Sequence, residues 1–134
     1  TLPFIARHQN KIIGYIIGIP LEILNREPWA RLDIYFGQKN TIYTYAFVIE
    51  KEYKANGYAK MLKKVYLNWI KKQEHIHFMT GHVKQGISNR FKGNINIVNH
   101  VENWQGTGKV FEYYRREIDP ERIYKKNSKN TKIL

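Results

Sequence analysis

Two runs of β-branched and apolar residues, Pro3 to His8 and Lys11 to Ile19, flank the polar pair Gln9-Asn10, a spacing that predicts a β-hairpin with a tight turn. Residues 21–40 carry Asn25, Pro28, Gly37 and Asn40 without sustained periodicity and read as a long loop, with a short helical turn near Ile23. Thr41 to Glu50 is dense in Thr, Tyr, Phe, Val and Ile, residues that fit a pleated half-buried surface, and predicts a central strand. The strongest periodicity follows it. Tyr58, Met61, Leu62, Val65, Tyr66, Trp69 and Ile70 recur at helical spacing, so a helix over about 58–73 carries one apolar face, with Lys60, Lys63, Lys64, Lys71 and Lys72 off it. Ile76 to Thr80 reads as a strand, 88–101 as a weaker helix, Gly106-Thr107-Gly108 as a turn and Val110 to Ile118 as a closing strand. The predicted order is β-β-β-α-β-α-β.

Composition narrows the class. A chain of 134 residues fits one domain, and 43% hydrophobic with 25% charged residues excludes wholesale disorder. The absence of cysteine excludes disulfides, thiolate metal sites and a cysteine nucleophile, and leaves the cytoplasm as the default compartment. The longest apolar run, Ile12 to Leu21, is too short to cross a bilayer and contains Gly14, Gly18 and Pro20; it predicts a buried strand, and no membrane association. Arg7, His8 and Lys11 precede it as in a signal peptide, but no small-residue cleavage site follows Pro20. Lys and Arg number 23 against 11 Asp and Glu, and the net charge of +12 suits a polyanionic partner: nucleic acid, a membrane surface or a phosphate-rich cofactor. From Asp119 onward the chain is a polar, basic tail, 119–134, predicted to fray unless Ile123 and Tyr124 dock.

Residues 47–62, FVIEKEYKANGYAKML, run from strand through a basic glycine-containing turn into the amphipathic helix. The first N–H groups of a helix have no intrahelical partner and its dipole is positive there, so such a turn can hold phosphate, with Lys54 and Lys60 adding charge. The same residues also read as an ordinary connection with Asn56 as N-cap.

The run Lys54-Ala55-Asn56-Gly57-Tyr58-Ala59 resembles the Arg/Gln-x-x-Gly-x-Gly/Ala pyrophosphate loop of the GNAT family of N-acetyltransferases, with Lys54 in place of the usual Arg or Gln and Tyr53 matching a frequent aromatic before it. The flanking elements agree over roughly residues 4–118. The resemblance implies an α/β fold, a mixed, mainly antiparallel sheet flanked by helices, in an acetyltransferase domain of residues 1–118; the family's strand and two helices before the hairpin would meet only three residues here, so either the chain is trimmed or the acceptor side is open. It also implies acetyl-CoA bound where two central strands splay. Pantetheine would pair with the backbone of Phe47, Val48 and Ile49, pyrophosphate would sit on Lys54, Ala55, Asn56, Gly57, Tyr58, Ala59 and Lys60, and an N–H near Val48 would stabilise the oxyanion. The reaction implied is direct attack by a primary amine.

Departures from the pattern concern catalysis. Many members use a Glu on the strand before the loop as base, and here that place is Tyr45; the acid Tyr of the family's second helix falls on Val101. His82 becomes the candidate base, with Glu50 or water as alternatives, and Tyr113 or Tyr114 the candidate acid. On the acceptor side, Glu27 and Asp33 stand among Trp29, Tyr35 and Phe36 in the long loop, a mixture suited to a cationic amine, with Tyr45 beside them by the family's layout.

Other constellations yield less. His75, His77 and His82 lack an obvious fourth ligand and predict no metal site. Gly106-Thr107-Gly108-Lys109 lacks phosphate-loop spacing and reads as a turn. Ten tyrosines among lysines keep a rival reading, a nucleic-acid-binding module. The missing Glu and Tyr keep a third, a non-catalytic relative that binds CoA.

Overall fold

The computed structural model describes residues 2–122, of Leu2 the backbone only, so Ile123, Tyr124 and the rest of the basic tail lie outside the described residues. The chain forms two units contiguous in sequence, one ending at Ile76 and one beginning at His77. Six strands and a few helices make the fold α/β, and within each unit the strands pair antiparallel.

In the first unit β1 (Leu2–His8) and β2 (Lys11–Pro20) form the expected hairpin. Gln9 and Asn10 take φ +49° and +68°, the left-handed pair that a two-residue turn between right-twisted strands requires. A 3-10 turn at Leu21–Leu24 and the four-residue helix α1 (Pro28–Arg31) occupy the predicted loop. Proline at the first helical position of α1, where no N–H is needed, is the signal that the loop reading passed over. β3 (Thr41–Ile49) pairs with β2.

Helix α2 (Tyr58–Lys71) buries Leu62, Tyr66 and Ile70, each stabilising by roughly 1.5–3 kcal/mol through burial. The seven-residue apolar stripe is only partly used, because Met61 and Val65 remain 62% and 49% exposed. The helix lies close to β2 because position 18 has no side chain: a Cβ on Gly18 would come within 2.4 Å of the Tyr66 hydroxyl. That hydroxyl in turn bonds Thr44 Oγ1 at 3.0 Å, and Phe4 packs edge-on against Tyr66 and Trp69.

In the second unit the strands are ordered β4 (Phe78–Lys84), β6 (Phe111–Glu117), β5 (Ile95–Val101). The helix expected over 88–101 is absent. Its place is taken by a 3-10 turn at Ile87–Arg90 and by β5, in which Ile95 and Ile97 share one face opposite Arg116 and Tyr114. Gly93, at φ +103°, breaks the helical run, and the β-branched Ile95, Ile97, Val98 and Val101 gain more from pairing with β6 than from a solitary turn of helix. The turn is anchored from below. Buried Glu112 on β6 accepts hydrogen bonds from the Gly86 N–H at 2.6 Å, the Ser88 N–H at 3.1 Å and the Ser88 hydroxyl.

Candidate active site

β3 delivers the chain to the predicted loop, and its register decides which backbone groups are available there. Ile17 pairs with Ala46 but Gly18 with Thr44, so Tyr45 is the extra residue of a β-bulge. Beyond the bulge Glu50 donates to the Ile13 carbonyl at 2.7 Å. Antiparallel ladders alternate, so Val48, two residues back and opposite Tyr15, also directs its N–H and C=O into β2. Of the backbone groups near Val48, where the oxyanion donor is expected, those facing away from β2 belong to Phe47 and Ile49 rather than to Val48 itself. The side chains of Phe47 and Val48 are 41% and 42% exposed although they point to opposite faces, so neither face is closed over this half of the strand.

A 3-10 turn, Lys51–Tyr53, then leads to Lys54 in extended conformation, Ala55 at φ +68° and Gly57 at φ +82°. Alternating handedness turns successive N–H groups toward one side, the arrangement that forms anion-binding concavities. Gly57 is the N-cap of α2, no side chain caps that end, and the first helical bond runs from Met61 N–H to the Gly57 carbonyl at 3.0 Å. Asn56 does not act as the N-cap of the alternative reading. The N–H groups of Tyr58, Ala59 and Lys60 are left at the helix mouth. A Cβ on Gly57 would meet no atom within 4 Å, so the space in front of the turn is open.

Behind the turn the ring of Tyr58 is fixed by its hydroxyl, 2.9 Å from His8 Nδ1, and by edge-on contact with Tyr53 and His8. Lys11 pairs with Glu50 at 3.3 Å, a pairing that raises the lysine pKa and occupies the carboxylate considered as a base.

The remaining predicted residues are dispersed. Asp33 is 5% exposed and its Oδ1 accepts the Tyr35 N–H at 2.9 Å, so its carboxylate closes the loop's own turn rather than facing an acceptor. Trp29 packs on Tyr43 at 4.8 Å, covering the sheet. Glu27 and Tyr45 are exposed, Tyr45 by 63%. In the second unit His82 stacks on Trp104 at 3.8 Å and tilts against Tyr113 at 4.8 Å. Burial pushes the His82 pKa down to about 4, which removes it as a base that titrates near neutrality. Tyr113 is a core residue, 1% exposed. Among the described residues no cluster of three metal-ligating side chains occurs. Nor is any helix there long and apolar enough to cross a membrane.

The profile of the acetyltransferase (GNAT) family matches residues 1–90, two thirds of the chain. The protein belongs to the GNAT family. Solved structures similar to this GNAT chain include the ribosomal-protein alanine N-acetyltransferase of Escherichia coli, at TM-score 0.62 and 10% identity over 88% of this chain and 69% of that one. A GNAT acetyltransferase from Streptococcus pneumoniae gives TM-score 0.63 and 15% identity, covering 86% and 65%, and an aminoglycoside 6'-N-acetyltransferase complexed with coenzyme A gives 0.58 and 13%, covering 87% and 72%. The chain thus spans about two thirds of the length of these structures. No curated protein sequence matches it significantly. The likeness carries the GNAT fold.

Proposed function

We propose that this GNAT protein transfers an acetyl group from acetyl-CoA to a primary amine by direct attack. The observation that supports this most is the uncapped N-terminus of α2 behind a turn with two left-handed residues, open in front of Gly57. Pyrophosphate would accept from the N–H groups of Tyr58, Ala59 and Lys60, with Lys54, Ala55 and Asn56 lining the turn and the lysines supplying charge. Pantetheine would pair with the outward backbone of Phe47 and Ile49, passing Val48, and one of those N–H groups would meet the developing oxyanion.

In the reaction a C–N bond forms, the thioester C–S bond breaks, the amine gives up a proton and the departing thiolate takes one. His82, held neutral, is a weak acceptor, and Glu50 is engaged by Lys11. We therefore assign the amine proton to water, so the rate follows the amine's own ionisation, and the thiolate's proton to solvent as well, because Tyr113, the acid expected from the sequence, is a core residue. Glu27 and Tyr45 are the acceptor-side candidates. Glu27→Gln is expected to raise the acceptor KM with acetyl-CoA affinity unchanged, measured by steady-state kinetics and calorimetry.

Calorimetry with acetyl-CoA and with pantetheine, followed by thiol release over a panel of amines, tests the reading. Acetyl-CoA is expected to bind far more tightly than pantetheine and to release thiol with at least one amine. Equal saturation by the two would overturn the phosphate loop, and binding without transfer to any amine would favour the non-catalytic relative.

A further inference from the structure

On β4 and β6 the register puts His82 opposite Tyr113 and Lys84 opposite Phe111, so these four side chains share one face of the second unit. The loop that enters β6 lays Trp104 over that face, its ring stacked on His82 at 3.8 Å and 6.3 Å from Phe111. The loop is closed on itself. The Lys109 carbonyl accepts the Trp104 N–H at 3.2 Å, and Asn103 Oδ1 accepts the Gly108 N–H at 2.7 Å. The N–H groups of Gly106, Thr107 and Lys109 are likewise spent inside it, on Asn103, Trp104 and Thr107. Its conformation is therefore fixed, and with it the place of Lys109.

The Gln85 N–H donates to the Val110 carbonyl at 3.0 Å, which continues the ladder past Lys84 and sets Lys109 diagonally across from it, within reach of long side chains. The two exposed ammonium groups come together, and their proximity holds the Lys84 pKa below the ordinary lysine value. No carboxylate among the described residues offsets them. Glu102, exposed at the start of the loop, pairs with neither, and Glu112 is on the opposite face, bonded to Gly86 and Ser88. Like charges across a strand pair destabilise it, so nothing in the fold rewards this convergence, whereas a bound anion would. Trp104 is only half-buried and leaves ring surface open on the same face.

We propose that Lys84 and Lys109 clamp a phosphate monoester and that Trp104 stacks on the ring that carries it, a nucleoside or a sugar. Two ammonium groups match the charge of a phosphate close to its dianion, and charge-assisted bonds of that kind are the strong ones. An aromatic face stacks on any base without reading its identity. The loop backbone, its donors spent, contributes position and not hydrogen bonds, so Gly106-Thr107-Gly108-Lys109 can serve a phosphate without the spacing of a phosphate loop.

Neither lysine nor Trp104 has a part in the transferase reading, which survives either outcome. This pair and the 54–60 turn would both attract phosphate, so the readout resolves residues. The full chain, labelled with 15N and 13C and without coenzyme A, is titrated with AMP, glucose 6-phosphate and inorganic phosphate at constant ionic strength. The Trp104 indole N–H and the Lys84 and Lys109 side-chain carbons are followed. Saturable shifts of all three side chains are expected with at least one ester, and the tighter ester names the ring. The bound ester is also expected to raise the Lys84 pKa, read from its carbon shifts against pH. Lys84→Met and Lys109→Met are each expected to weaken ester binding about fivefold or more, with no loss of Tm, since each removes a like charge. Trp104→Leu is expected to bring the ester down to the affinity of inorganic phosphate, and the surface lysine variants keep the test decisive where that variant does not fold. Shifts confined to residues 54–60 would overturn the proposal. So would shifts that follow ionic strength alone, or esters that bind the intact protein no more tightly than inorganic phosphate does.

Discussion

At Gly57 two residue-level facts meet: a φ of +82° and empty space where a Cβ would stand. Gly57→Ala therefore costs about 1–2 kcal/mol for the left-handed backbone, without a clash, and an alanine methyl would occupy the space a phosphate needs. A folded Gly57→Ala protein is expected to show a Tm lowered by a few degrees and acetyl-CoA affinity reduced at least tenfold, by thermal melts and calorimetry. His82 carries a second expectation. Its folded pKa of about 4 lies below the ordinary 6.5, so the unfolded chain binds the extra proton first. The contribution is complete above about 6.5 and lost as pH falls toward 4, amounting to roughly 2–3 kcal/mol. His82→Phe, which keeps the stack on Trp104, is expected to flatten Tm against pH across that window. It should also leave the neutral-range pH limb of the transfer rate in place. The left-handed backbone of Gly57 was legible in the sequence because a glycine between strand and helix marks a turn that needs positive φ. The environment of His82 was not, since nothing local to 82 announces that Trp104 covers it.

Where elements meet, the contacts of α2 and of the 3-10 turn at 87–90 set the expectations. Gly18→Ala forces a Cβ to within 2.4–2.9 Å of Tyr66 and Ile42, and overpacking of this kind costs about 1–3 kcal/mol. Pairing it with Tyr66→Leu should recover part of the loss, a coupling that a denaturant double-mutant cycle reads directly. Glu112→Gln removes a charged acceptor of three hydrogen bonds. Burial raises the Glu112 pKa, but the bonds from Ser88 and Gly86 outweigh it and hold it below the ordinary value. Its contribution is present above the ordinary carboxylate range and is lost as pH falls through the depressed pKa. The variant is expected to lose about 2–4 kcal/mol, with faster amide exchange at 86–91. The hairpin, β3, α2 and β6 were readable because turn residues and apolar spacing agree locally. The 88–101 segment was misread because Ile87, Phe91, Ile95 and Val98 also fit a helical spacing, and the preference for a strand comes from β6, more than ten residues away in sequence. The bulge at Tyr45, and with it the choice of Phe47 and Ile49 over Val48, depends on pairing with β2 that no single segment encodes.

Across the whole molecule the charge of +12 makes salt a discriminating variable. Affinity for a polyanion falls with salt in proportion to the number of phosphates neutralised, so an oligonucleotide bound nonspecifically should be lost steeply between low and physiological salt. Acetyl-CoA, held by a few phosphates and by backbone pairing, is expected to weaken much less. Competition assays over a salt series measure both, and an oligonucleotide that persists and displaces acetyl-CoA would favour the nucleic-acid module. The contiguity of the two units bears on how the chain is made. Every strand pairing of the first unit, and the helix that packs on it, lies before residue 77, so on a ribosome this half can complete its hydrogen bonds while β4 to β6 are still being synthesised. The last-made half carries its own ladder from β4 through β6 to β5, and β5 must wait, unpaired and apolar, until β6 emerges after it. That interval, rather than any step in the mature protein, is where a nascent chain of this sequence is most exposed to mispairing.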